Sequence, residues 1–301
     1  MIKAVKIINY LGESKKLVLN CPEESGFAVT DITGLGPSKS NIYTTEVITT
    51  DGAIYNGART EARNIVLSLL FLPFPDIENM RHESYKYFPL KKKVGLEIET
   101  DNRVCETYGY VESNEPDIFS KKETAQISII CPDPYLYSVE SSITIFYGIE
   151  HLFEFPFMND SLSENLILMG SIREKFEQSV FYNGDAEVGI ILTLHALGDV
   201  SNITIFNVHT RETMRIDTDK IKKLTGAGMG TGDDVIINTI KGNKSMVLLR
   251  NGQYTNILNC LDKESDWFEL AKGYNLFGII AESGMSNLVF KIENRIAYEG
   301  V

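Results

Sequence analysis

Short runs of β-branched and aromatic residues, separated by turn signals, dominate the first half of the chain. Gly95–Thr100 alternates apolar and polar residues with period two, which is typical of a half-buried strand. Asn41–Thr50 is rich in β-branched residues and ends at Asp51-Gly52, a strong hairpin-turn dipeptide. The pattern predicts strands at Lys3–Tyr10, Lys16–Leu19, Asn41–Thr50, Arg63–Phe71, Val94–Thr100, Val104–Glu112 and Thr124–Cys131.

One predicted helix interrupts these strands, over residues 75–88. Pro75 and Asp76 are helix start signals, and Pro89 is a stop signal. Because an amphipathic helix has to bury its apolar stripe, we expect this helix to pack against a sheet. The residues that fall on one stripe at helical spacing are Ile77, Met80, Ser84, Tyr85 and Phe88.

The second half of the chain is a regular series of short β patterns separated by turns such as Lys241-Gly242-Asn243 and Asn251-Gly252. Only Ile221–Leu224 and Asp266–Leu270 suggest helical turns. Many strands at this spacing predict a sandwich or a barrel. The predicted strands are Ser142–Tyr147, Phe176–Tyr182, Ala186–Leu197, Ser201–Asn207, Glu212–Asp217, Val235–Asn238, Ser245–Arg250, Gly273–Glu282 and Asn287–Asn294.

The two halves meet at a turn-rich segment that contains Pro132 and Pro134. Two prolines at this spacing do not fit inside a central strand, so they mark the end of a domain. We expect a first domain at residues 1–138 and a second at residues 139–301. The predicted fold class is mainly β, with an N-terminal β-barrel or sandwich that carries one packed helix and a C-terminal β-sandwich.

Composition excludes several classes of protein. With 43% apolar and 23% charged residues, the 301-residue chain is close to an average soluble protein and long enough for two cores. The longest apolar runs, Ile65–Leu72 and Gly189–Leu194, fall far short of the roughly 20 residues of a membrane helix. The first residues lack a signal-peptide core, so we expect a protein made in a cytoplasm. The net charge of −12 argues against a surface that grips nucleic acid, because Lys and Arg drive phosphate binding.

The glycine-rich segment Gly226–Gly232 is the most tempting motif. A dinucleotide site requires Gly-x-Gly-x-x-Gly after a strand and before a helix, whereas Thr231 occupies the position of the third glycine. Charged residues precede the segment, the strand-like Val235–Asn238 follows it, and the Lys-Ser/Thr pair of a P-loop does not follow. We therefore expect a flexible hairpin loop here and no cofactor.

The histidines and cysteines lack the spacing of metal sites or disulfide frameworks. We expect no metal ion, and we expect the cysteines to be buried free thiols, since free Cys packs as a small hydrophobe. The histidines are His82, His151, His195 and His209, and the cysteines are Cys21, Cys105, Cys131 and Cys260.

Two alternative functions stay open on the residues alone. The lone Trp267, together with Tyr254 and Tyr274, is a candidate platform for stacking on a sugar ring, although we expect Trp267 to pack in the core. Close carboxylate pairs resemble the two acids of a glycosidase, but we expect them to be solvated positions on a strand face. No catalytic residue is predicted, and we expect a protein that is not an enzyme. The pairs are Glu97/Glu99, Asp217/Asp219 and Asp233/Asp234.

Several segments, taken in order, resemble the siphophage tail family of distal tail proteins. The resemblance covers nearly the whole chain and rests on order and spacing more than on any one motif. The segments are Thr50–Ala53, Ala62–Leu67, Ile77–Arg81, Tyr85–Lys91, Gly109–Glu112, Glu115–Phe119, Ala125–Tyr135, Asp234–Thr239, Gly242–Ser245, Asn256–Leu258, Trp267–Leu270, Gly273–Asn275 and Tyr298–Val301.

The resemblance implies a structural part of a virion tail tip. The first domain would assemble into a hexameric ring, and the second would be a galectin-like β-sandwich outside that ring. The partners implied are other copies of the chain, the tail-tube protein, the baseplate hub or tail-associated lysin, and a receptor-binding protein. DNA would pass through the ring without specific binding, and the acidic balance of the chain fits a lumen that repels the DNA backbone.

Overall fold

The structure, a computed structural model, describes residues 1–46, 51–73, 76–120, 122–146, 148–151, 170–173 and 177–301. The chain divides into two compact units, Met1–Glu140 with Ala297–Val301, and Ser141–Ile296. The last five residues therefore join the first unit, whereas the sequence pattern placed them in the second domain. Of the predicted elements, residues 47–50, Pro75, Tyr147 and Phe176 lie outside the described residues.

The first unit is built on one antiparallel sheet. Its strands follow the order β2-β1-β7-β8-β9-β6-β3, with β10 paired to β8 and to β25 near the end of the chain. The separate hairpin β4–β5 completes the strands described for this unit. The strands are β1 (Ile2–Ile8), β2 (Ser14–Val18), β3 (Phe27–Thr33), β4 (Ser40–Glu46), β5 (Ala53–Thr60), β6 (Arg63–Phe71), β7 (Lys93–Thr100), β8 (Val104–Pro116), β9 (Thr124–Cys131), β10 (Leu136–Ser138) and β25 (Ala297–Tyr298).

Among the described residues this sheet is open. Its end strands β2 and β3 are not hydrogen-bonded to each other. The first unit is therefore not a closed barrel, which was one of the two architectures that the sequence predicted. One face is buried, because alternate residues of β6 such as Ile65, Leu67 and Leu69 are at most 1% exposed. Four strands of this unit, β3, β5, β10 and β25, have no counterpart in the predicted set. None of the residues of β5 is buried, so this strand lacks period-two burial.

The predicted helix is confirmed as α1 (Ile77–Tyr87). The Asp76 side chain caps it by accepting a 2.8 Å hydrogen bond from the backbone N–H of Asn79, and the helix ends at Phe88. Its buried positions include Met80 and Tyr87, which join the core beneath the sheet. Tyr85, predicted on the stripe, is 41% exposed.

The second unit contains two larger antiparallel sheets, with strand orders β11-β24-β16-β19-β20-β21 and β14-β23-β17-β18, and the small pairs β12–β13 and β15–β22. In both larger sheets buried and partly exposed residues alternate, which is the pattern of a β-sandwich. The strands are β11 (Ser142–Ile145), β12 (Gly148–His151), β13 (Gly170–Arg173), β14 (Glu177–Tyr182), β15 (Val188–Gly189), β16 (Ile191–Ala196), β17 (Ser201–Asn207), β18 (Thr213–Ile216), β19 (Asp234–Asn238), β20 (Ser245–Arg250), β21 (Gln253–Asn256), β22 (Glu269–Leu270), β23 (Gly273–Ser283) and β24 (Leu288–Asn294).

The two predicted helical turns of this unit have different outcomes. Ile221–Leu224 lies inside α2 (Thr218–Thr225), which is longer than predicted. Asp266–Leu270 is not helical; its end forms β22, paired with β15. Phe268 and Leu270 are both fully buried, and burial at a spacing of two residues requires extended chain.

Three of the cysteines are buried as predicted, while Cys21 is exposed. Burial raises the pKa of the Cys105, Cys131 and Cys260 thiols, so these side chains are unreactive packing groups. In the described part of the chain, no helix has the length and apolar character needed to cross a membrane.

Candidate assembly surfaces and binding residues

The glycine-rich segment is not a hairpin loop. Gly226 ends α2 in the left-handed region (φ 85°), and the segment then leads into β19. Arg250, from β20, holds it in place by donating a 2.5 Å hydrogen bond from Nη2 to the carbonyl of Gly228. The prediction of a flexible hairpin loop is therefore wrong, because the anchoring side chain comes from a strand distant in sequence.

Arg250 also forms an ion pair with the carboxylate of Asp233, with two hydrogen bonds of 2.8 and 2.5 Å. Although burial opposes ionisation of Asp233, the bonds from Arg250 and from the backbone N–H of Gly230 lower the pKa of this carboxyl. The same hydrogen bond raises the pKa of Arg250. Asp233 thus has a structural role in tying the glycine segment to the sheet.

The other close carboxylates also have structural partners. Glu97 pairs with Lys6 of the neighbouring strand β1 at 2.9 Å, and Glu99 pairs with Lys16 of β2, beyond β1, at 2.6 Å. Asp217 caps α2 by accepting from the backbone N–H of Lys220. Asp234 lies 2.6 Å from Nδ1 of His195. Among the described residues, no group of three His, Cys, Asp or Glu side chains is arranged to hold a metal ion.

The three aromatic residues proposed for sugar stacking lie on different elements. Tyr254 is on β21, the edge of the six-stranded sheet, and is 70% exposed. Tyr274 is on β23 of the four-stranded sheet, where its ring lies 5.0 Å from that of Phe181. Trp267 precedes β22, is half-buried, and has the Lys244 ammonium 5.2 Å from its ring centroid. A sugar-binding role for these three residues stays a prediction.

The hairpin β4–β5 is an exposed apolar feature of the first unit. None of its residues is buried. Ile42, Tyr43, Ile54 and Tyr55 are between 54% and 66% exposed. The register places Ile42 and Tyr55 on one face and Tyr43 and Ile54 on the other, so both faces of the hairpin present large apolar side chains to solvent.

The solvent face of the large sheet mixes charged, polar and aromatic side chains. On β8 it carries Glu106 and Glu112, together with the half-exposed Tyr108 and Tyr110. Hydrogen bonds run across this face, with Ser128 donating to Glu112 at 2.8 Å and lying 3.0 Å from the side-chain oxygen of Asn64. The face also carries the carboxylates of Glu97 and Glu99, which are paired with lysines.

The second unit matches a known family. Residues 183–295 match the family model described as siphovirus-type tail component, C-terminal domain. The resemblance to siphophage tail proteins is thereby confirmed for the tail-component domain, which includes α2, both larger sheets in part, and the segment held by Arg250.

Solved structures extend the likeness to the whole chain. The crystal structure of the SPP1 Dit protein, described as a paradigm of the hub adsorption apparatus in phages that infect Gram-positive bacteria, has a TM-score of 0.66 and 11% identity. The match covers 97% of this chain and 99% of that chain. At this identity the likeness concerns the fold alone: this chain has a Dit-like, mainly β fold.

Two structures of the phage P2 baseplate in its activated conformation, with Ca and with Sr, are also similar. Their chains have 12% and 13% identity, cover 98% and 97% of this chain and the same shares of their own length, and have TM-scores of 0.47 and 0.48. These scores are too low to support an argument about the fold. No curated protein matches the sequence.

The sequence predicted the first strand and the turn of the hairpin β4–β5, but not its second strand, and it did not predict the aromatic pair Phe181–Tyr274. The hairpin had a signal, because Ile54 and Tyr55 follow the Asp51-Gly52 turn after a β-branched run. The aromatic pair had none, since its two residues are brought together only by the pairing of β14 with β23.

Proposed function

We propose that this protein is a structural ring subunit at the tip of a phage-type tail. It joins the tail tube to the baseplate hub or tail-associated lysin, and its second unit is an attachment point for receptor-binding proteins. The observation that supports this most strongly is the likeness in fold to the SPP1 Dit hub protein over almost the full length of both chains. The tail-component domain at residues 183–295 supports the same assignment independently.

Ring formation is supported by the hairpin β4–β5. Contiguous apolar side chains exposed on a monomer mark a protein interface, and here they lie on both faces of a thin two-stranded element. Such an element is fully covered only when neighbouring chains lie against each of its faces. A head-to-tail contact between identical chains, repeated around an axis, generates a ring. The proposed ring has six subunits, as in the family that the sequence resembles.

Passage of DNA through the ring is supported by the carboxylates on the solvent face of the large sheet. Carboxylates that face a channel repel the phosphate backbone and reduce adhesion of the passing duplex. The network that joins Glu112, Ser128 and Asn64 holds these groups in place on the sheet. We assign this face to the lumen of the ring. The proposed role requires no catalytic residue and no cofactor.

Native mass spectrometry of the full chain over a concentration series, with negative-stain imaging of the same sample, tests the proposal. We expect a closed oligomer of six chains that is seen as a ring with a central hole. A chain that stays monomeric alone, and that also fails to form rings when mixed with tail-tube protein from the same particle, contradicts the ring.

A further inference from the structure

The outer face of the four-stranded sheet in the second unit carries a cavity of about 330 Å³ beside β17, β18 and the start of α2. Polar and apolar residues share its walls. The polar or charged ones are Asn202, Thr204, Arg215, Asp217, Asp219, Lys220 and Asp262, and Ile203 and Ile216 also line it. A second, smaller cavity of about 70 Å³ adjoins it and shares Arg215 and Asp262.

The chemistry of the walls selects the class of ligand. Arg215 and Lys220 offer hydrogen-bond donors, Asp219 and Asp262 offer acceptors, and Thr204 offers both. Cationic and anionic groups face the same space, so neither a strongly acidic nor a strongly basic ligand is favoured. A neutral polyhydroxylated ligand uses both kinds of group, because each hydroxyl donates one hydrogen bond and accepts others.

An aromatic platform lies on the same face of the same sheet. Phe181 pairs with Tyr274 across β14 and β23, and the two side chains are 58% and 72% exposed. Their ring centroids lie 5.0 Å apart, with an angle of 51° between the planes. Exposed rings of this kind stack on the C–H faces of sugars.

The register shows that the platform and the cavity share one face. Tyr274 and Ile280 are six positions apart on β23 and therefore point to the same side. Ile280 pairs with Thr204, and Thr204 pairs with Arg215 at the cavity. At roughly 3.3 Å per residue, the platform and the cavity are separated by about 20 Å along the sheet.

Apolar side chains lie between them on the same face. The ring of Phe206 lies across Gly278, where an added Cβ would come within 2.3 Å of it, so the ring lies flat along the sheet at this point. Leu276 and Ile280 flank this position on β23. A run of apolar residues therefore joins the aromatic platform to the polar cavity.

We propose that this face binds a neutral linear oligosaccharide, with one sugar unit in the cavity at Arg215 and Asp262 and another stacked on Tyr274 and Phe181. This activity is separate from the proposed ring, because every residue involved belongs to the second unit. It gives a tail-tip subunit a direct contact with surface glycans. The site differs from the trio of Trp267, Tyr254 and Tyr274, of which it uses Tyr274 alone.

A polypeptide is the competing occupant, since Leu276, Phe206 and Ile280 also suit a protein surface. The charged cavity at one end favours the glycan. A protein interface core is depleted of charged groups, whereas a sugar site combines a few polar groups with a stacking ring.

The test is calorimetric titration of the full chain with neutral oligosaccharides of two to eight units, prepared from bacterial cell-surface polysaccharides. We expect affinity to rise at least about tenfold between the shortest and longest members, because only the longer ones reach both ends of the site. Tyr274→Ala should remove the dependence on length, and Arg215→Ala or Asp262→Asn should weaken all members about tenfold.

Tyr10→Ala is the matched control, since Tyr10 is an exposed tyrosine of the first unit. It should bind as the unchanged chain does. Circular dichroism and unfolding temperature verify that each variant folds. Absence of binding to every oligosaccharide, an equal loss in Tyr10→Ala, or binding of a tail protein to this face in place of any glycan overturns the proposal.

Discussion

The guanidinium of Arg63 donates a 2.6 Å hydrogen bond to the backbone carbonyl of Glu299, a residue 236 positions further along the chain. Arg63 is 2% exposed, and it also donates to the carbonyls of Gly34, Gly36 and Pro134 at 2.7 to 2.9 Å. Burial lowers the pKa of Arg63, but the carbonyl dipoles around it stabilise the charged form. This one side chain joins the last residues of the chain to the first unit.

Arg63→Met should destabilise the first unit strongly. It removes four hydrogen bonds donated by a buried charged side chain, at a cost of about 3 kcal/mol or more in the free energy of unfolding. Chemical denaturation of the full chain measures the loss. Arg59→Met is the control, because Arg59 lies on the exposed hairpin and should change stability by less than about 0.5 kcal/mol. Equal stability of the two variants would show that the Arg63 network is dispensable.

Gly34→Ala should be destabilising, whereas Gly36→Ala should be nearly neutral, although both carbonyls accept from Arg63. Gly34 has φ +82°, and an added Cβ would lie 1.9 Å from the carbonyl oxygen of Asn64. Gly36 is outside the left-handed region and faces open space. We expect a loss of at least about 2 kcal/mol for Gly34→Ala. Thermal unfolding of the two variants side by side checks this, and similar unfolding temperatures would refute it.

Charged substitutions on the hairpin should block ring assembly without unfolding the chain. Tyr43→Asp and Tyr55→Asp act on opposite faces, and both side chains are more than half exposed in the monomer. Native mass spectrometry should show monomers with an unchanged unfolding temperature. Tyr254→Asp, an exposed change in the second unit, should still form the ring. Intact rings in both hairpin variants would mean that the hairpin is not an assembly element.

Reversing charge on the solvent face of the large sheet should make the ring adhere to DNA. Glu106→Lys combined with Glu112→Lys replaces two negative charges with positive ones on one strand. Retention of double-stranded DNA should increase at about 50 mM salt and disappear as salt rises. Glu264→Lys combined with Glu187→Lys, in the second unit, should have a smaller effect. If DNA retention does not increase, the solvent face of the large sheet does not line the lumen.

The ion pair of Asp233 and Arg250 should make stability depend on pH. The folded state holds the pKa of Asp233 below its ordinary value, so its contribution is fully present at neutral pH. Below about pH 4 the unfolded chain binds the proton more readily, and this contribution is lost as pH falls through the folded-state pKa. Asp233→Asn should cost about 3 kcal/mol in unfolding free energy at pH 7 and progressively less below pH 4.

Urea denaturation of the unchanged chain and of Asp233→Asn at several pH values measures the difference in their unfolding free energies. Asp185→Asn is the control, since Asp185 forms an exposed ion pair with Lys272 and should change stability by less than about 0.5 kcal/mol. A cost for Asp233→Asn that is the same at pH 3 and pH 7 would rule out the linkage.

Strands with strong local signals were predictable from sequence. Two strands have the bounds that the sequence predicted, Arg63–Phe71 and Thr124–Cys131. Both are apolar runs bounded by clear turn signals, and such a run is typical of a buried strand. The helix after Asp76 was predictable because its cap, stripe and stop are all local. The prediction of a helical turn at Asp266–Leu270 is wrong, because the burial of Phe268 and Leu270 depends on partners far away in sequence.

The amino-acid sequence alone determined the mainly β class, the single helix of the first unit and the likeness to siphophage tail proteins, since all three rest on local patterns and their order. Only the tertiary structure decided that residues 297–301 join the first unit, that Arg250 binds the segment Gly226–Gly232, and that the ring of Phe181 contacts that of Tyr274. Each of these depends on strand pairing or on one long side chain reaching a distant carbonyl. Such contacts leave no periodicity in the sequence, because the partners are set by the register of sheets and not by neighbouring residues.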